Sequence, residues 1–173
     1  MEKSALNNNA LAFIALCNEY CVAVENARES ERDEFISSML RLLPRLYISA
    51  SDLKIEVADV EFGAYLDSAL DEDYYEAVRR SIENLMGADD VYLEVFEENM
   101  KYSDTPIGAS IAECLADIFQ VLYNFVETVK ESPTELIGQS LSAVKEEFEN
   151  YWSRILCNVL RALNHVRYTP SED

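Results

Sequence analysis

The chain has 173 residues, 49% of them hydrophobic and 27% charged, a composition that fits one soluble globular domain able to build a core without metal or disulfide staples. Its 33 acidic against 14 basic residues leave a net charge of −19, which argues against nucleic acid and anionic membrane surfaces as partners, because binding them needs clustered Lys and Arg. One histidine and four glycines leave little material for His-based catalysis, zinc sites or glycine-rich phosphate loops.

Helical periodicity dominates from the start of the chain. Leu11, Ile14, Cys17, Cys21 and Val24 recur at three- and four-residue steps, with Phe13, Leu16 and Tyr20 widening the stripe. The apolar run from Ala10 to Leu16 ahead of Cys17 has the outline of a lipoprotein signal, but Asn7, Asn8 and Asn9 interrupt its approach and bulky Leu16 sits where a small residue should precede the cysteine. Beyond Cys17 the same amphipathic pattern continues. Since no segment approaches the roughly 18 apolar residues of a membrane span, a cytoplasmic protein is expected.

A second helix is expected from about Glu31 to Ser49, with Phe35, Ile36, Met39, Leu40, Leu43 and Tyr47 inward. Pro44 lies inside it and predicts a kink or an early end. Glu31, Asp33 and Glu34 at its start, and Arg41 and Arg45 further on, suit the helix dipole. Ser51 to Asp71 is irregular. Ile55, Val57, Val60 and Phe62 alternate weakly there, but a lone hairpin is marginal in water, so a packed loop is expected. A helix then runs from about Glu72 to Met86 and ends at Gly87, and Asp89 or Asp90 can cap a further short helix carrying Val91, Tyr92, Val95 and Phe96.

Two long helices close the chain. Thr105-Pro106 places a capping hydroxyl before a proline at the first helical position, and Ile107, Ile111, Cys114, Ile118, Leu122, Phe125 and Val129 keep one face apolar. Ser132-Pro133-Thr134-Glu135 reads as a capping box for the next helix, with Ile137, Leu141, Val144, Phe148, Trp152, Ile155, Val159 and Leu163 inward. The short link between them makes an antiparallel pair the economical arrangement. The expected fold is therefore all-α: a single-domain bundle of about six helices over residues 1–167, with a long C-terminal antiparallel helical hairpin and a disordered tail at 168–173.

Charge is uneven along the chain. Residues 1–50, 51–104 and 105–173 carry net charges of −2, −12 and −5. A solvated acidic face accounts for the excess in the middle third; the sharper reading is a surface for a basic protein partner or for divalent cations. The four cysteines read as reduced thiols that act as small core hydrophobes: Cys17 and Cys21 share one helical face, and Cys114 and Cys157 fall in later apolar stripes.

Carboxylate clusters are the one enzyme-like feature. Glu31-x-x-Glu34 followed by Glu56-x-x-Asp59 matches on paper the paired acidic motifs with which all-helical nucleoside-triphosphate pyrophosphatases hold magnesium, a hard ion that prefers carboxylate oxygen. In so acidic a chain the pattern has a high chance frequency, and Glu56 and Asp59 fall outside any helix. Glu113 and Asp117 lie one turn apart at the edge of an apolar stripe, with Glu146, Glu147 and Glu149 in a similar zone of the next helix. They are the metal-site candidates; the competing reading pairs them with Arg154 or Arg161. A di-iron bundle would need two Glu-x-x-His pairs, which one histidine cannot supply. His165 has Arg161 and Arg167 for neighbours and reads as a surface group near a helix C-terminus. Tyr102 and Asp104, in a turn before the first late helix, and the adjacent aromatics Tyr151 and Trp152 are the candidates for contact with a partner.

The segments Leu42-Leu43-Pro44-Arg45-Leu46-Tyr47, Tyr102-Ser103-Asp104-Thr105-Pro106-Ile107 and Glu113-Cys114-Leu115-Ala116-Asp117-Ile118, with the closing Tyr151-Trp152 and Leu160-Arg161-Ala162-Leu163-Asn164, resemble a bacterial domain-of-unknown-function family of soluble proteins about this long. The resemblance spans most of the chain. It implies a bacterial, cytoplasmic, mostly helical protein and supplies no catalytic residues. Asn164 stands where the family pattern suggests histidine, with His165 following.

With ten tyrosines on an acidic chain and no catalytic inventory, the function expected first is a non-enzymatic cytoplasmic binding or adaptor protein without a cofactor. A metal-dependent hydrolase built on Glu113 and Asp117 is the runner-up, and a homodimer kept soluble by its acidic face is the third reading.

Overall fold

The structure, a computed structural model, describes residues 6–55, 66, 68–94 and 107–169. The described residues form six α-helices, α1 (Asn8–Glu25), α2 (Arg32–Asp52), α3 (Glu72–Met86), α4 (Ile111–Glu131), α5 (Ile137–Glu147) and α6 (Ser153–Tyr168). A two-stranded antiparallel ribbon, β1 (Val91–Leu93) with β2 (Gly108–Ser110), stands between α3 and α4. Among the described residues the fold is all-α apart from that ribbon.

α4 is the axis of the bundle. It packs against α1, α3, α5 and α6, while α2 closes the far side against α1 and α6. Its burial reflects this position: Ile111, Leu115, Ile118, Phe119, Leu122 and Phe125 are all fully enclosed, so its apolar surface spans much more than one stripe. Phe13 of α1 lies against Phe125 with ring centres 5.5 Å apart and stacks on Trp152 at 6.5 Å. The Tyr20 hydroxyl donates to the Leu115 carbonyl at 2.7 Å, which supplies a partner for a phenol that has left water altogether.

Both ends of α3 follow their local chemistry. The Asp71 carboxylate accepts the Tyr74 N–H at 2.7 Å, and Gly87 ends the helix at φ 60°, in the left-handed region that costs glycine least. Asn7 caps α1 in the same way, accepting the Ala10 N–H at 2.8 Å.

Several expectations are corrected. α2 runs through Pro44 to Asp52, so the proline does not end it, and Arg41 and Arg45 sit in mid-helix rather than near the C-terminus. Its inward face includes Leu42 and Leu46, whereas Tyr47 is exposed. In α1 the buried face centres on Phe13, Cys17, Tyr20 and Val24, leaving Leu11 outside. No short helix follows Asp90: Val91–Leu93 pair instead with Gly108–Ser110, and Val95 and Phe96 lie outside the described residues. Likewise α4 does not begin at Thr105-Pro106, which also lies outside them; Gly108–Ser110 is strand and helix starts at Ile111.

The capping box at Ser132 is absent as well. Ser132 closes α4, its hydroxyl donating back to the Thr128 carbonyl at 2.6 Å, and Thr134–Leu136 forms a 3-10 turn before α5. A serine bonding to a carbonyl one turn behind it is the competing use of the same hydroxyl.

A π turn, Phe148–Trp152, joins α5 to α6 without a break. Val144, Phe148, Trp152 and Leu156 are all buried, three successive four-residue steps. Each such step drifts by about 40° around a regular helix, so the stripe would leave the core unless a wider turn absorbed the surplus, as the π turn does. Past it the inward residues are Leu156, Val159, Ala162 and Leu163. Ile155 is half-buried, and Cys157 is exposed rather than part of the stripe. The other thiols follow the expected pattern more closely: Cys17 and Cys21 are buried and Cys114 is half-buried, and all four cysteines are free. The last helix extends to Tyr168, one residue into the expected tail.

Candidate functional site

The site is assembled around the N-terminal half of α4, starting from the group that caps it. Asp90, buried at the end of the turn after α3, accepts the Ser110 hydroxyl at 2.6 Å and the Ala112 N–H at 2.7 Å. Ser110 in turn accepts the Glu113 N–H at 3.1 Å. Two unpaired donors of the first turn are satisfied in this way, one by the Asp90 carboxylate and one by the Ser110 hydroxyl, and the carboxylate sits at the positive end of the helix dipole.

Asp90 thereby pins the ribbon over the start of α4. Along β1 the side chains alternate: Val91 and Leu93 face outward at 69% and 58% exposure, while Tyr92 turns inward. Its hydroxyl lies 3.0 Å from Glu94 Oε1 and 3.2 Å from Cys114 Sγ. One turn further along α4, Asp117 accepts the Tyr75 hydroxyl of α3 at 2.5 Å. Asn124 extends the polar line, its carbonyl oxygen accepting the N–H groups of Ala69 and Leu70 at 2.9 Å each. That clasp fastens the end of the irregular segment to α4.

Two clefts flank this line. The smaller, about 290 Å³, is lined by Glu94, Ser110, Glu113, Cys114, Asp117, Arg154 and Asn158 among others. The larger, about 520 Å³, lies beside Gln120, Asn124, Glu146, Glu147, Asn150 and Tyr151. Both are bordered by α4 on one side and by the α5–π–α6 rod on the other.

Proton positions follow from burial in an acidic neighbourhood. Cys114 is pushed up to about 11, chiefly by burial, with the Glu94, Asp117 and Glu113 carboxylates adding and the Tyr92 hydrogen bond opposing. It is therefore a thiol, not a thiolate, at neutral pH. Asp117 is raised above the ordinary carboxylate range, first by burial and then by Glu113, against the pull of the Tyr75 bond. Burial raises Tyr75 as well, helped by Asp117, and it raises Tyr151, where Asp117 and Glu147 add and Arg154 opposes. The phenols stay protonated as donors facing carboxylates.

Of the residues singled out from sequence, Glu113 and Asp117 do share a cleft, with Arg154 beside them. Among the described residues no ion pair joins them to either arginine: Asp117 is held by Tyr75, and Arg161 donates to the Leu93 carbonyl at 2.7 Å. Nor, among the described residues, do three metal donors converge at any point. Tyr151 borders the larger cleft. Trp152 is corrected: at 0% exposure it offers a partner nothing, because its ring packs on Phe13 and Phe148 and its indole N–H donates to the Val144 carbonyl at 3.2 Å. Tyr102 and Asp104 lie outside the described residues, as do Glu56 and Asp59. Glu34 sits on an exposed shelf of α2 with Asp33 and Arg41, and exposed His165 pairs with Thr169 across 3.1 Å. Sequence reasoning missed Tyr75, Tyr92 and Asn124; only the abundance of tyrosine hinted at the first two.

The fold and this cleft define a helical-bundle protein in which a small ribbon and a central helix organise tyrosines against carboxylates. The chain belongs to the family described as domain of unknown function DUF5063, whose model matches residues 4–169. It is also similar to the crystal structure of protein BF1032 from Bacteroides fragilis, a structural genomics target, at 29% identity over 99% of both chains with a TM-score of 0.83. Comparison with curated proteins gives no match. No described helix is long and apolar enough to cross a membrane.

Proposed function

We propose that the protein is a non-enzymatic cytoplasmic binding protein, and that its clefts beside α4 receive cationic side chains of a basic protein partner. One observation carries the reading. The titratable groups of the site are held as hydrogen-bonded phenols, a protonated thiol and carboxylates, an arrangement suited to accepting a lysine or arginine and poorly suited to nucleophilic attack. Glu113, Glu146, Glu147 and Tyr151 border the clefts as rim groups, where charge governs association rate and salt dependence.

Isothermal titration with a lysine- and arginine-rich peptide, set against a glutamate-rich peptide of equal length, tests the proposal. Binding of the basic peptide alone, weakened several-fold by raised salt and by Glu113→Gln with Glu147→Gln, is the expected result. Equal binding of both peptides, or binding of neither at low ionic strength, would overturn it.

A further inference from the structure

In a chain with 33 acidic residues, two helices are almost free of them. α6 has no Asp or Glu in its 16 residues, and α2 has none between Phe35 and Ser51. The two pack against each other, so their acid-poor stretches merge into one face. Arg41, Arg45, Arg161 and Arg167 are all exposed there. Among the described residues none of the four enters an ion pair. Arg161 donates to the Leu93 carbonyl, and Arg167 lies over the Tyr168 ring at 5.4 Å. The carboxylates beside this face are Asp33 and Glu34, at the start of α2, on the shelf that Arg41 and Arg167 also line.

A groove of about 490 Å³ runs between the helices. Leu40 and Pro44 of α2 form one wall; Leu160, Arg161 and Tyr168 of α6 form the other, with the exposed thiol of Cys157 between them. Its lining is thus largely apolar, and its charged neighbours on both helices are mostly arginines.

We propose that this groove docks a short acidic, amphipathic segment of a partner protein, with apolar side chains on the groove floor and carboxylates against Arg41, Arg45 and Arg161. Charge sets the sign of the occupant, since guanidinium groups pair with carboxylates through two parallel hydrogen bonds. Reach sets its size. A second copy or a nucleic acid would bring a large negative charge up to a body of −19, whereas a short segment brings only its own few carboxylates. A bilayer surface is too broad to enter a groove between two helices, while an amphipathic helix fits one. The groove is a different face from the clefts beside α4, so the proposal does not rest on their reading as sites for a basic partner.

The thiols of the full chain supply the reporter. Cys17 and Cys21 are buried and Cys114 is pushed up to about 11, so iodoacetamide should modify Cys157 first. The probe is a synthetic helix with leucines at i, i+4 and i+7 flanked by glutamates. At saturation it should slow modification of Cys157 about tenfold, and its Kd should rise several-fold between about 0.05 and 0.3 M NaCl. Arg161→Glu and, at a position with no ion pair to lose, Arg41→Glu should each weaken binding about tenfold with an unchanged circular dichroism spectrum. The same peptide with serine in place of leucine should not bind, because exposed ion pairs alone contribute little. A lysine- and arginine-rich peptide should leave the Cys157 rate unchanged, which keeps this result separate from that of the clefts. A Cys157 no more reactive than the other thiols in the free protein would show the groove already covered and would overturn the proposal. So would a probe that binds without shielding Cys157, or anionic vesicles or duplex DNA that shield it equally well.

Discussion

On one flank of α4, Phe125 meets Phe13 at 5.5 Å between ring centres, and Phe13 reaches on to Trp152. On the other, Cys114 and Asp117 meet Tyr92 and Tyr75 through directed hydrogen bonds. The first flank is held by volume, so many side chains share each loss. The second is held pair by pair, so the identity of single atoms decides the outcome. The two flanks should accordingly respond to substitution on different scales.

Trp152→Ala should have the largest effect, destabilising by about 3–5 kcal/mol through the cavity it leaves between Phe13 and Phe148; equilibrium urea unfolding measures it. Asp90→Ala removes the acceptor for both Ser110 and Ala112 and should cost about 2 kcal/mol, about half of it recovered by Asp90→Asn, which keeps one acceptor oxygen. Tyr20→Phe leaves the ring in place and deletes only the bond to Leu115, for about 1 kcal/mol by the same measurement.

The smallest effect has the opposite sign. Because Asp117 is raised in the folded protein, its contribution to stability is fully present below the ordinary carboxylate value of 3.8 and is lost as pH rises through the folded value. Asp117→Asn, still able to accept the Tyr75 hydroxyl, should therefore raise Tm at neutral pH by about 1–2 °C. The gap should close on acidification. A melting series across pH would break the contrast between the flanks if the variant were instead less stable at pH 7.

What the sequence discloses divides along the same line. The limits of α3 are legible because Asp71 and Gly87 both act within one turn of the ends they define. The start of α4 is only half legible: Ser110 caps it locally, but the second acceptor, for the Ala112 N–H, comes from Asp90 on the far side of the ribbon. Ser132 misleads for a related reason: one hydroxyl can serve the helix before it or the helix after it, and spacing does not tell which. Periodicity placed Ile118, Phe125 and Trp152 in the core, and the same burial removes Trp152 from any partner surface. Glu113 and Asp117 could be located at the edge of a stripe, but Tyr75 and Tyr92 could not be joined to them, since each reaches α4 from a different element.

The π turn at Phe148–Trp152 sets the phase between the two halves of the last rod. Its surplus residue lets Leu141 and Val144 keep their hold on the interior while Arg154 and Asn158 are dialled round to border the smaller cleft. Shortening the turn by one residue would rotate everything beyond it by about 100°, carrying that arginine and asparagine off their station while leaving the first half untouched. How the smaller cleft is furnished thus depends on a single backbone insertion that contributes no side chain to its lining.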